Sequence, residues 1–142
     1  MYVGAGLILR NPQGQVLLVR DARSGRWGFP KGHPERRDKN IPLNTATREC
    51  FEETGLTVND YIIEQVKPKR IGKRLYFNGL CSREKFDKDA MPDGEISDVR
   101  WWSLSEFIGA TEILNSDLRC WIRKARFVKS PTLGPMPCPS SS

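Results

Sequence analysis

Residues 48–55 read Arg-Glu-Cys-Phe-Glu-Glu-Thr-Gly, which puts three carboxylates into five positions. Leu43, Ala46 and Cys50 recur at helical spacing upstream of Gly55. Pro42 suits a first helical turn and Gly55 a left-handed C-terminal cap. The pattern predicts a helix over Leu43–Thr54. In it Glu49, Glu52 and Glu53 stand at i, i+3 and i+4, so they share one face and repel one another. Such a face is either a solvated surface or a seat for a hard cation. Carboxylate oxygens suit Mg²⁺ or Mn²⁺, and a divalent ion offsets two of the charges.

The rest of the chain predicts strands around this helix. Two apolar runs, one through Val3, Leu7 and Ile8 and one through Val16–Val19, flank Asn11-Pro12-Gln13-Gly14 and read as a hairpin. Residues 24–40 carry Gly25, Gly28, Pro30, Gly32 and Pro34 and read as a loop, with one short strand near Trp27–Phe29. Residues 56–69 and 73–84 read as strands, 82–98 as a charged loop, and 99–104 as a short strand. A helical turn follows, capped by Ser103 or Ser105. A last helix starts at Ser116 or Asp117 and shows Leu118, Trp121, Ile122 and Ala125 on its apolar face. The expected organisation is one domain over residues 1–128 and a disordered Pro/Ser-rich tail over 129–142. The mixture of strands and helices predicts an α/β or α+β sandwich.

The chain is basic, with a net charge of +6 over 142 residues. That charge steers polyanions such as nucleotides, nucleic acid or acidic membranes toward it, or simply keeps it soluble. Cys50, Cys81, Cys120 and Cys138 form no C-x-x-C pair, so no structural zinc is expected. No run is long enough to span a membrane, and no secretory leader is visible. An intracellular, reducing compartment with free thiols, cytoplasmic or nuclear, is the expectation.

Two stretches together resemble the Nudix hydrolase superfamily, whose signature is G-x5-E-x7-R-E-U-x-E-E-x-G-U with U aliphatic. Arg48-Glu49-Cys50-Phe51-Glu52-Glu53-Thr54-Gly55-Leu56 matches the second half, with Cys50 standing for the first aliphatic residue. Phe29-Pro30-Lys31-Gly32 is a familiar entry to it. The likeness extends over about residues 2–128. One departure is plain: 15 residues separate Gly32 from Arg48 where the signature has 13. Counting back from Arg48 puts Asn40 at the first glutamate; counting forward from Gly32 puts Asp38 there. Glu35 or Asp38 is the substitute, or the position is dispensable.

The resemblance implies an α/β fold, a Nudix α-β-α sandwich with a mixed β-sheet. It implies a Mg²⁺-dependent pyrophosphohydrolase, with Mn²⁺ as substitute, that cleaves a phosphoanhydride bond of a nucleoside diphosphate linked to another moiety. It implies Glu49, Glu52, Glu53 and the Gly32 carbonyl as metal ligands, Arg48 as the residue orienting a glutamate, and Lys31 near the phosphates. The general base is Glu52 or Glu53, or Glu95 from a downstream loop. His33 and Tyr76 are candidate substrate contacts, and Trp27 and Trp102 are aromatics that either stack on a base or fill the core.

Two subfamilies compete for the substrate. Residues 27–32, residues 42–56 and Asn59-Asp60-Tyr61-Ile62 resemble the catalytic domain of mRNA decapping enzymes, which carry a helical domain ahead of this fold; here the fold is expected to begin at residue 2. Pro30-Lys31-Gly32-His33 resembles the asymmetric dinucleoside tetraphosphate hydrolases. Capped RNA and dinucleoside polyphosphates are the leading substrates. Lys67, Lys69, Arg70, Lys73 and Arg74, with Arg119, Arg123, Lys124 and Arg126, form basic stretches that either follow an RNA backbone or simply face solvent. The reading from another class is a non-catalytic Nudix module that binds nucleotide or RNA or scaffolds a complex.

Overall fold

A computed structural model describes residues 2–82 and 94–129, with side chains to residue 124. The charged residues 83–93 and the tail 130–142 lie outside the described residues. Among the described residues the strands are β1 (Ala5–Arg10), β2 (Val16–Asp21), β3 (Trp27–Gly28), β4 (Lys31–Gly32), β5 (Tyr61–Ile63), β6 (Lys69–Ile71), β7 (Arg74–Cys81) and β8 (Ile96–Trp102). Among the described residues the α-helices are α1 (Pro42–Thr54), α2 (Leu104–Ile108) and α3 (Ser116–Lys129). All the strands join one mixed sheet, in which β1 and β7 run parallel and the other pairs antiparallel.

β1 is buried along its whole length because both faces of the sheet are covered. Its alternation divides the core. Leu7 and Leu9 join Leu17, Val19, Ala46, Cys50 and Phe77 under α1. Ile8 joins Val16, Leu18, Phe29, Trp102, Phe107, Leu118 and Trp121 on the opposite face, under α2 and α3. The architecture is therefore a mixed sheet between helical layers, an α/β sandwich. Among the described residues, no helix is long and apolar enough to cross a membrane.

The predicted hairpin of β1 and β2 is present, antiparallel across the Asn11–Gly14 turn, where the Gly14 N–H donates to the Asn11 carbonyl at 2.9 Å. The two strands pair only at Arg10 and Val16 and then splay. Residues 27–32 fill the fork: the short strand expected near Trp27–Phe29 is β3, whose Trp27 and Gly28 pair with β2, while Lys31 and Gly32, expected as loop, pair with β1. Pro30 accepts a hydrogen bond from the Leu7 N–H at 3.0 Å. Gly6 makes this approach possible, since a Cβ there would stand 2.3 Å from the Pro30 carbonyl oxygen. The single strand read over residues 56–69 is instead two short ones, β5 and β6, laid against different parts of β7.

The helices follow local chemistry. α1 begins with Pro42 and ends at Gly55, whose φ of 81° and N–H to the Phe51 carbonyl make the left-handed cap. Ser103 and Glu106 form a capping box on α2. α3 starts at Ser116, one of the two expected positions, and Asn115 before it is the cap: its Oδ1 accepts from the Leu118 N–H at 2.9 Å. Asp117 is buried instead and accepts from Tyr76 Oη at 2.5 Å and Arg74 Nη1 at 3.2 Å.

Candidate active site

α1 lies across the β4 end of the fork and presents its acidic face there. A cleft of about 770 Å³ opens between them. Lys31, Gly32, His33, Glu35, Glu49, Glu53 and Glu95 line it, with Arg23, Arg26, Gly28 and Asn115. Glu49 lies directly over Gly32: a Cβ on that glycine would stand 2.0 Å from the glutamate's carboxyl carbon. Glu53 Oε1 accepts from the Lys31 N–H at 3.2 Å. The wedge backbone and the helix are thus joined through the glutamates themselves.

Burial, followed by the field of Glu49, pushes the Glu53 carboxyl up to about 8. Burial also raises Glu49, against the pull of Arg48. Burial thus disfavours the charged form of both neighbouring carboxyls.

Behind this pair, Arg48 organises the loop. Its Nε and Nη2 donate to Asp38 Oδ1 and Oδ2 at 2.8 and 2.9 Å, a bidentate pair. Nη2 also reaches the His33 carbonyl at 2.9 Å, and Nη1 reaches Glu49 Oε2 at 2.9 Å. Asp38 is 2 % exposed and further accepts from Thr45 Oγ1 at 2.7 Å and the Glu35 N–H at 2.8 Å. Tyr2 Oη lies 2.6 Å from the Thr45 hydroxyl. These bonds, led by that from Arg48, hold the Asp38 carboxyl well below the usual carboxylate range.

The spacing anomaly is settled by this pairing. Asp38 keeps the five-residue interval after Gly32, and the two extra residues fall between Asp38 and Arg48. Lys39 and Asn40 stand there in succession with φ of 56° and 59°, both left-handed. Of the two candidate substitutes, Asp38 makes the bidentate contact; Glu35 reaches Arg48 Nη1 at 3.4 Å from an exposed position. Asn40 has no part in it.

Not every predicted residue gathers in the cleft. Glu52 turns to Arg37 Nη2 at 3.0 Å and Arg48 Nη1 at 3.3 Å. Tyr76 is a correction: it is fully buried, donates to Asp117 and packs edge-on against Phe29, so a substrate does not meet it. Trp27 and Trp102 are likewise core, 5.1 Å apart in a T-shaped pair. Asn115 was missed, because its importance depends on Gly28, distant in sequence.

The donor set suits a hard divalent cation: oxygen ligands, two acids raised by burial, and a glycine whose missing side chain leaves Glu49 its room. Among the described residues, no three carboxylates stand close enough to hold an ion as they are. Glu52 would join Glu49 and Glu53 only by leaving Arg37.

The NUDIX domain family model matches residues 2–125. The chain is 31% identical over 108 residues to the m7GpppN-mRNA hydrolase dcap-2 of Caenorhabditis elegans, covering 71% of this chain and 13% of that protein. It is 41% identical over 51 residues to an RNA pyrophosphohydrolase of Psychrobacter cryohalolentis, covering 36% and 28%. It therefore spans less than a third of the length of either relative. A solved Ap4A hydrolase binary complex of C. elegans shares the fold with a TM-score of 0.68 and 18% identity over 88% of this chain and 97% of that one.

Proposed function

The chain belongs to the NUDIX domain family, and on that premise we propose that it is a divalent-cation-dependent pyrophosphohydrolase acting on capped RNA or a dinucleoside polyphosphate. The observation that carries the reading is the convergence of Glu49 and Glu53 on the Lys31–Gly32 backbone, in a cleft where burial raises both carboxyls.

Glu49, Glu53 and the Gly32 carbonyl would hold Mg²⁺ or Mn²⁺, with Glu52 swinging in from Arg37. When bound, the cation offsets phosphate charge and lowers the pKa of water. Arg48 fixes the Glu49 carboxylate and ties the 33–38 loop to α1 through His33 and Asp38. Lys31 places a positive charge beside the phosphates. Glu95 reaches the cleft from β8's approach and is the proposed proton acceptor. His33, whose Nδ1 lies 3.3 Å from the Val3 carbonyl oxygen, sits at the cleft edge as a phosphate contact. Nucleotides and capped RNA are what the relatives' names point to. Basic residues on β6 and α3 support contact with an RNA backbone: Lys124 is near enough to help burial lower the Lys69 ammonium. The free thiols of Cys50, Cys81 and Cys120 support a reducing, intracellular setting.

The test is hydrolysis of capped RNA, dinucleoside polyphosphates, nucleoside diphosphate sugars and nucleoside triphosphates with Mg²⁺ or Mn²⁺, with products identified. Glu52→Gln and Glu53→Gln should each cut turnover by a factor on the order of 10² or more while substrate still binds. Binding without any turnover by the unaltered protein would instead establish the non-catalytic module.

A further inference from the structure

A second guanidinium competes for the acidic face of α1. One turn of 3₁₀ helix, Arg36–Asp38, leads the loop toward the helix. Its last residue, Asp38, is fastened to Arg48, which brings the residue before it alongside α1. That residue is Arg37. Its Nε donates to Glu35 Oε1 at 2.8 Å and its Nη2 to Glu52 Oε2 at 3.0 Å. One planar fork thus spans two acids, a geometry that arginine supplies and lysine does not.

The consequence falls on Glu52. Glu49 and Glu53 line the cleft, and Glu52 does not. Glu52 stands at i+3 from Glu49, so their Cβ atoms are about 5–6 Å apart. Rotation of the Glu52 side chain is enough to bring its carboxylate to theirs, with no movement of the backbone. To make that turn it gives up Arg37 Nη2 and the longer contacts of its two oxygens with Arg48 Nη1, at 3.3 and 3.4 Å.

The two arginines differ in their ties. Arg48 is mostly buried and is also bonded to Asp38, Glu49 and the His33 carbonyl, so the loop depends on it. The Arg37 side chain is 63% exposed and bonds, among the described residues, to Glu35 and Glu52 alone. Arg37 can therefore be altered without undoing the tie between loop and helix.

We propose that Arg37 is a positioning residue for the cation site: its guanidinium holds Glu52 off the cleft and competes with the divalent ion for that carboxylate. The cation affinity of the free protein is thereby set below what its three glutamates would give unopposed. The two events are linked reciprocally: uptake of the ion frees the guanidinium, and loss of the guanidinium favours uptake. The inference rests on the cation-dependent hydrolase reading of the cleft and deepens it.

Arg37→Gln keeps most of the side chain's length and removes its charge. Calorimetric titration with Mn²⁺, without substrate, should show tighter binding than in the unaltered protein by roughly two- to fivefold, the worth of one exposed ion pair. Loss of a nearby positive charge also tightens binding through its field alone, so the same replacement is made in Glu52→Gln. No carboxylate remains there for Arg37 to hold, and Arg37→Gln should leave the Mn²⁺ affinity unchanged. An equal gain in both backgrounds overturns the inference, as does no gain in the first. If Glu52→Gln melts early or takes up too little Mn²⁺, the side-chain ¹⁵N signals of Arg37, identified by their absence in Arg37→Gln, decide instead. Titration of the unaltered protein with Mg²⁺ should shift them toward those of free arginine as uptake saturates, and signals that stay in place overturn the inference. No uptake of either ion by the unaltered protein overturns the cation reading and the inference together. Uptake without hydrolysis of any substrate fails the hydrolase reading alone, and the Arg37 comparison still decides the inference.

Discussion

Asp38 shows how one short side chain can organise an acidic helix. It is buried, binds Arg48 through both oxygens and takes two further hydrogen bonds. Removing one partner of a buried pair costs about 3–5 kcal/mol, because the other charge stays behind. Asp38→Asn should lower stability by about that much, measured by denaturant unfolding at pH 7. The pH dependence has a definite sign. The folded pKa lies below the unfolded value of about 3.9, so the stabilisation is present above that value and is lost as pH falls toward the folded one. Unfolding free energy of the unaltered protein should therefore drop below about pH 4, and the part due to Asp38 should be missing from Asp38→Asn. An equal acid slope in both proteins would show that Asp38 is not the linked group.

At the scale of elements, α1 was legible in the sequence and its surroundings only in part. Its period, its proline and its capping glycine are local, and the predicted Leu43–Thr54 differs from Pro42–Thr54 by one residue. The hairpin of β1 and β2 was legible and its splay was not; what parts the strands is the wedge of residues 27–32, of which only the short strand near Trp27 was expected. Arg10 was illegible for the same kind of reason. It ends an apolar strand yet is 2 % exposed, paired with Glu64 and bonded to Asn78 at 3.3 Å, partners far along the chain. The acidic triplet was read as one face, and it is, yet Arg37 draws Glu52 away from the other two. The inserted turn before α1 carries its own prediction. Lys39 has a Cβ in left-handed backbone, a conformation costing roughly 1 kcal/mol that glycine avoids. Lys39→Gly should stabilise the protein by about that amount in chemical denaturation, and Asn40→Gly by less, since asparagine tolerates the conformation. Destabilisation by Lys39→Gly would mean that the lysine side chain itself holds the turn.

Over the whole molecule, one sheet serves two cores. Phe77 is buried on the α1 face and Phe107 on the α3 face. Each Phe→Ala replacement should cost about 3–5 kcal/mol. With the sheet between them the costs should add within a few tenths. Unfolding should stay a single transition by fluorescence and by circular dichroism. Two separated transitions would show that the layers fold apart. The fork between β1 and β2 has a wider meaning. Its vertex is pinned where Asn11 Oδ1 accepts from the Gln13 and Gln15 N–H groups at 3.1 and 2.8 Å. One jaw carries β3 and Asn115's seat; the other carries β4 and the seat of Glu49. The fork is thus a caliper, and the gap between its jaws is the length of molecule the cleft can grip. That length is set by hydrogen bonds inside the sheet, so no change in the surface loops alone can retune it.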